Sequence, residues 1–108
     1  MIGAQNLPKT LEKKGIKEKI VSICEKNDVI FLALFGSFVR DEQNNKSDID
    51  MIVKFNKSEK KSLLDLIRAE NEFKKIFKRK VDLLTPESIS PYLRDNILKS
   101  MRVIYEKR

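Results

Sequence analysis

The chain has 108 residues, 41% hydrophobic and 36% charged, enough apolar content for one modest core under a heavily solvated surface, and too much for disorder throughout. It contains no histidine and a single cysteine, which excludes histidine general bases, disulfides and cysteine-rich metal sites and leaves any catalysis to carboxylates, hydroxyls, Lys and Arg, or backbone groups. Lys plus Arg number 23 against 16 Asp plus Glu, a formal charge of +7; most of the excess falls in residues 54 to 80, where nucleic acid, a nucleotide, an acidic partner or plain solvation would each suit it.

The length fits a single domain over residues 1–108. No run approaches the roughly 20 apolar residues of a membrane span, and the opening segment lacks the apolar core of a secretory signal. The expected location is cytoplasmic. Ile16, Ile20, Ile23 and Cys24 follow the i, i+4, i+7, i+8 period of an amphipathic helix expected over residues 9 to 27, with Gly15 a candidate break and Cys24 a packing residue. "VIFLALF", residues 29 to 35, is a continuous apolar run of strand-forming residues ending at Gly36, as expected of a strand buried on both faces. After the polar loop "DEQNNKS", "DIDMIVKF" reads as a second strand. Ser58 is placed to cap a helix whose inward residues are expected to be Leu63, Leu66, Ile67, Phe73, Ile76 and Phe77. "KVDLLT", residues 80 to 85, reads as a third strand. Ser90 and Pro91 suit the cap and first position of a last helix expected to bury Leu93, Ile97 and Met101, and "RVIY" suits a short closing strand. This order describes one α/β (α+β) domain, a small sheet with helices packed on it.

The chemistry concentrates in "LFGSFVRDEQNNKSDIDMIV", residues 34 to 53. Residues two apart on a strand share a face, so Asp48 and Asp50 point one way while Ile49 and Met51 point the other. Two carboxylates on one side of an otherwise apolar strand repel each other and resist desolvation unless a cation or firm hydrogen bonds compensate. A divalent metal is the economical answer, since magnesium takes a few carboxylate oxygens and completes its shell with water and phosphate. Asp82, flanked by apolar residues, offers a third carboxylate. If its strand pairs beside the second, the three converge and suffice for two metal ions and in-line phosphoryl chemistry. Gly36 permits close backbone approach after the first strand, and a helix starting there would present N–H groups to phosphate. Ser37 adds a hydroxyl, and Arg40, one helical turn on, would neutralise phosphate or pair with an aspartate. Taken singly, each feature has a plainer reading: a turn or helix cap for Gly36-Ser37, a calcium loop or strand end for Asp-x-Asp, an ion pair with Arg79 or Lys80 for Asp82, and a surface position for Arg40.

In combination, G-S-x-x-R, six intervening residues, then S-D-I-D with aliphatics and a later V-D-L-L resemble the nucleotidyltransferase superfamily related to DNA polymerase beta. The chain is similar in particular to the minimal nucleotidyltransferases, the antitoxins of prokaryotic pairs whose toxin is a HEPN-domain protein. The resemblance runs from about residue 29 to 85. It implies the polymerase beta-like fold and Mg-dependent transfer of a nucleoside monophosphate, AMP from ATP, to a hydroxyl of a partner protein, that is, protein adenylyltransferase activity. It also implies that Gly36, Ser37 and Arg40 hold the nucleotide, that Asp48 and Asp50 bind magnesium, and that Asp82, the third carboxylate, activates the acceptor hydroxyl. Asp41 stands where many relatives have glycine. The alternatives are a catalytically silent antitoxin that neutralises its partner by binding, and transfer to a small molecule or an RNA end.

Overall fold

A computed structural model describes residues 4–36, 48–56 and 63–107. The expected loop after residue 40, the helix start after Gly36 and the Ser58 cap lie outside the described residues. Helix α1 (Ile16–Lys26) buries Ile16, Ile20, Ile23 and Cys24, the four residues of the apolar period. It does not extend back to residue 9. Gly15, at φ 79°, stands at its N-cap in the left-handed region, and Lys9–Leu11 forms a separate 3₁₀ turn after an extended Pro8. At the other end the buried Asn27 side chain donates to the Ile23 carbonyl at 2.8 Å and to Glu72 Oε2 at 3.2 Å. That side chain both closes α1 and ties it to the neighbouring helix.

Strand β1 (Val29–Phe35) follows and is flanked on both sides, antiparallel to β2 (Ile49–Phe55) and to the last strand, β4 (Arg102–Glu106). Helix α2 (Leu63–Phe77) carries the chain across to β3 (Val81–Leu84), which pairs parallel to β2. The sheet order is β3-β2-β1-β4, a mixed sheet whose two central strands are the most apolar, as double-sided burial requires. Both edges are guarded. The N–H of Gln5 donates to Ile104 O at 2.8 Å along β4, and Leu83 N–H on β3 donates to the Glu70 carboxylate at 3.0 Å, so each edge has an outward backbone group engaged.

One sheet face carries the core. Leu32, Leu34, Ile49, Met51, Val53, Val81, Leu83 and Ile104 form one buried cluster with Ile20, Cys24, Ala69, Phe73 and Phe77 of the helices. The Phe73 and Phe77 rings stack, with centroids 6.2 Å apart. On the opposite face the cover is thinner: Phe31, Ala33 and Ile52 are buried, as is Ile89 just after the 3₁₀ turn Pro86–Ser88 that lies against β2. Among the described residues no helix is long and apolar enough to cross a membrane.

Three expected core residues are exposed. Leu63 and Ile67 are 69% and 42% accessible because they lie roughly 80° and 120° around α2 from Phe73 at 100° per residue. The inward line runs instead through Leu66, Ala69, Phe73, Ile76 and Phe77. Helix α3 (Pro91–Ser100) has Ser90 at its N-cap and Pro91 first, but the serine side chain makes no capping bond and no residue of the helix is fully buried. Its half-buried residues are Arg94 and Ile97, so Leu93 falls outside the contact line and Met101, just past the helix end, is only half-buried. Phe73→Ala should therefore lower unfolding free energy by about 3–5 kcal/mol, while Leu63→Ala should change it by less than about 0.5 kcal/mol. Urea titrations of the two variants measure the contrast.

Candidate active site

The parallel ladder between β2 and β3 places Asp50 opposite Asp82, with Ile49 opposite Val81 and Met51 opposite Leu83. The apolar members of these pairs are buried in the core. Alternation along each strand then turns Asp50 and Asp82 to the opposite face. Asp48, just ahead of β2, is exposed, whereas Asp50 and Asp82 are half-buried. Across the other ladder Asp50 lies opposite Phe35, the last residue of β1. The aspartates thus collect where β1 ends and β2 and β3 begin.

Gly36 completes this corner. Its φ is +76°, and a Cβ built there would lie 3.0 Å from Asp50 Oδ2. The position therefore favours glycine twice, for its left-handed backbone and for the carboxylate packed against it. Ser37, Arg40 and Asp41 lie outside the described residues.

The electrostatics mark Asp50. Loss of solvent raises its pKa above the usual carboxylate range, and the negative charges of Asp82 and then Asp48 raise it further, with Lys80 acting the other way. A carboxyl in that position resists ionisation unless a cation arrives, which is the chemistry of a divalent-ion ligand. Among the described residues no three acidic side chains by themselves make a metal cage. An ion at Asp50 and Asp82 would complete its shell with water and phosphate oxygens, the ordinary habit of magnesium. The thiol contributes nothing here: burial, with a smaller contribution from Glu25, pushes the Cys24 pKa up to about 12, and the side chain packs in the core. Two residues beyond the expected set bear on the site. Lys80 sits two before Asp82, a spacing that already implies a shared face, and Glu70 holds the outer edge of β3 through Leu83, a long-range contact with no local sequence signal.

The family model described as "Polymerase beta, Nucleotidyltransferase" matches residues 18–108. The chain belongs to that nucleotidyltransferase family. A relative named as a protein adenylyltransferase in Methanocaldococcus jannaschii is 47% identical over 83 residues, covering 77% of this chain and 87% of that one. The protein adenylyltransferase MntA of Thermococcus cleftensis is 29% identical over 92 residues, covering 85% and 84%. A solved structure described as a minimal nucleotidyltransferase superposes with a TM-score of 0.66 at 27% identity over 78% of this chain and 84% of the other. A toxin-antitoxin crystal structure with AMP-PNP superposes at 0.68 with 20% identity, over 84% and 73%, and shares the fold. The family assignment agrees with the mixed four-stranded sheet.

Two substitutions probe the corner. Gly36→Ala should cost about 1–2 kcal/mol from the left-handed backbone alone, read in urea. Asp50→Asn should raise the melting temperature in EDTA at neutral pH by roughly 2–4 °C, the effect of about 0.5 kcal/mol, a value already scaled down for solvent screening. Because the folded-state pKa of Asp50 lies above the ordinary value, the wild-type protein regains stability as pH falls through it. The gap between the two melting curves should accordingly narrow toward acid pH and reach its full width once the pH exceeds the folded-state pKa of Asp50.

Proposed function

We propose that the protein transfers AMP from ATP to a hydroxyl of a HEPN-domain partner protein and serves as the antitoxin of that pair, with residues 1–108 acting as a single minimal nucleotidyltransferase domain. The observation that carries this reading is the in-register Asp50–Asp82 pair on the face away from the core, with Asp48 acting on the same carboxylate. Support for the acceptor class comes from the relatives named as protein adenylyltransferases. Similar solved structures include a toxin-antitoxin complex with AMP-PNP and a tri-AMPylated HEPN toxin from Shewanella oneidensis in complex with its MNT antitoxin.

In this mechanism the acceptor oxygen attacks the α-phosphorus of ATP. A new P–O bond forms, the bond to the oxygen bridging to the β-phosphate breaks, and pyrophosphate leaves with that electron pair. Asp82, half-buried beside Asp50, accepts the acceptor's proton. Asp48, Asp50 and Asp82 are the residues that would hold magnesium, with water and phosphate oxygens completing its shell, and a bound metal would neutralise charge on the attacking and leaving oxygens. The Gly36 backbone lies against the Asp50 carboxylate, and Gly36, Ser37 and Arg40 are the residues assigned to hold the triphosphate.

Asp48→Asn separates catalysis from simple binding. Incubated with labelled ATP, magnesium and the HEPN partner, the variant should lose label on the partner by about a hundredfold or more, while size-exclusion chromatography still shows the complex. Wild-type protein that binds the partner without labelling it would instead make the chain a stoichiometric antitoxin.

A further inference from the structure

Strand β3 and the residue before it alternate in a fixed way. Val81 and Leu83 are buried in the core, so Lys80 and Asp82 belong to the carboxylate face. The backbone at Lys80 is pinned there, since its carbonyl accepts the Ile49 N–H at 2.9 Å. That bond sets residue 80 beside the segment Asp48–Asp50. The side chain is exposed, and its charge reaches Asp50, opposing the effect of the neighbouring aspartates. A lysine head is a compact charge on a flexible four-carbon stem, free to change partners without moving the strand.

A divalent ion seated on the same carboxylates would repel this ammonium at short range. The nearest compensating anion would then be the one the ion brings with it, a nucleoside triphosphate. We propose that Lys80 is the site's built-in cation: it balances the aspartates before nucleotide arrives and moves onto the nucleotide phosphates once metal and nucleotide are bound. This rests on the nucleotidyl-transfer reading of the same site and assigns it one more substrate contact.

The two halves of the exchange predict opposite signs. With full-length protein, Mn2+ alone should bind Lys80→Met several-fold more tightly than wild type by titration calorimetry or electron paramagnetic resonance, because a competing charge is gone. ATP in the presence of magnesium should bind the same variant about tenfold more weakly, the scale of one charge-assisted phosphate contact. Lys80→Arg, which keeps the charge, should bind ATP within a few-fold of wild type. If both affinities of Lys80→Met fell together, the residue would be structural and the inference would fail. Unchanged ATP binding in that variant would also sink it while leaving the transfer reading intact. Wild-type protein that bound Mn2+ but no ATP would overturn both.

Discussion

The site depends on one piece of backbone geometry, the parallel register between β2 and β3 that sets Asp50 opposite Asp82. A slip of one residue would exchange the faces of a whole strand, turning Asp82 into the core and Val81 out of it. The cost of burying that carboxylate among aliphatics is what fixes the register. The packed side of the ladder, Ile49, Met51, Val81 and Leu83, therefore specifies the polar side without touching it. Two further contacts hold β3 in place: the Glu70 carboxylate bonded to Leu83 N–H and the α2 aromatics, Phe73 and Phe77, buried in the same cluster as Val81 and Leu83.

Against that rigid frame the corner itself is energetically uncomfortable. Asp50 loses solvent while facing two like charges, and Gly36 takes a left-handed backbone pressed on its carboxylate. Neither feature helps the fold. Both are the kind of local cost that persists where a ligand of opposite charge offsets it. Lys80 is a partial offset already present in the chain, weaker than the two aspartates it opposes.

Much of this was legible in the sequence, and the reason differs by element. The bounds of β1 came from a seven-residue apolar run that stops at glycine, and the outward face of Asp50 came from the period of a strand whose Ile49 and Met51 are inside, whereas Asp48 lies just ahead of that strand. The neighbour of β3 was not legible. Pairing across a crossover helix is a long-range choice, and local pattern only made it conditional. The helix expected from residue 9 was broken by Gly15, whose left-handed φ cannot be told from a tolerated helical glycine by spacing alone. Leu63, Ile67 and Leu93 were misjudged because apolar identity was read as burial. The angle around the helix decides α2, and for α3 the decisive fact is that no residue of the helix is buried and its half-buried residues are Arg94 and Ile97. Glu70 carries no local signal at all, whereas Lys80 was readable by the same alternation that found Asp82 and was weighed only as an ion-pair partner.

The two faces of the sheet divide stability from chemistry. One face buries a continuous aliphatic and aromatic layer against α1 and α2. The other changes character along its length, from the aspartates at one end, through Ala33 and Ile52, to Phe31 with the Lys54 ammonium 4.7 Å above its ring at the far end. Because the strands are shared, core residues set where the carboxylates stand. Because the faces are separate, the carboxylates contribute little to holding the strands together, and their mutual repulsion works against it. A fold arranged this way can change the polar face, including the charge at residue 80, without rebuilding the core. What it cannot change freely is the alternation of Ile49, Met51, Val81 and Leu83, since that pattern sets the register that keeps Asp50 and Asp82 side by side.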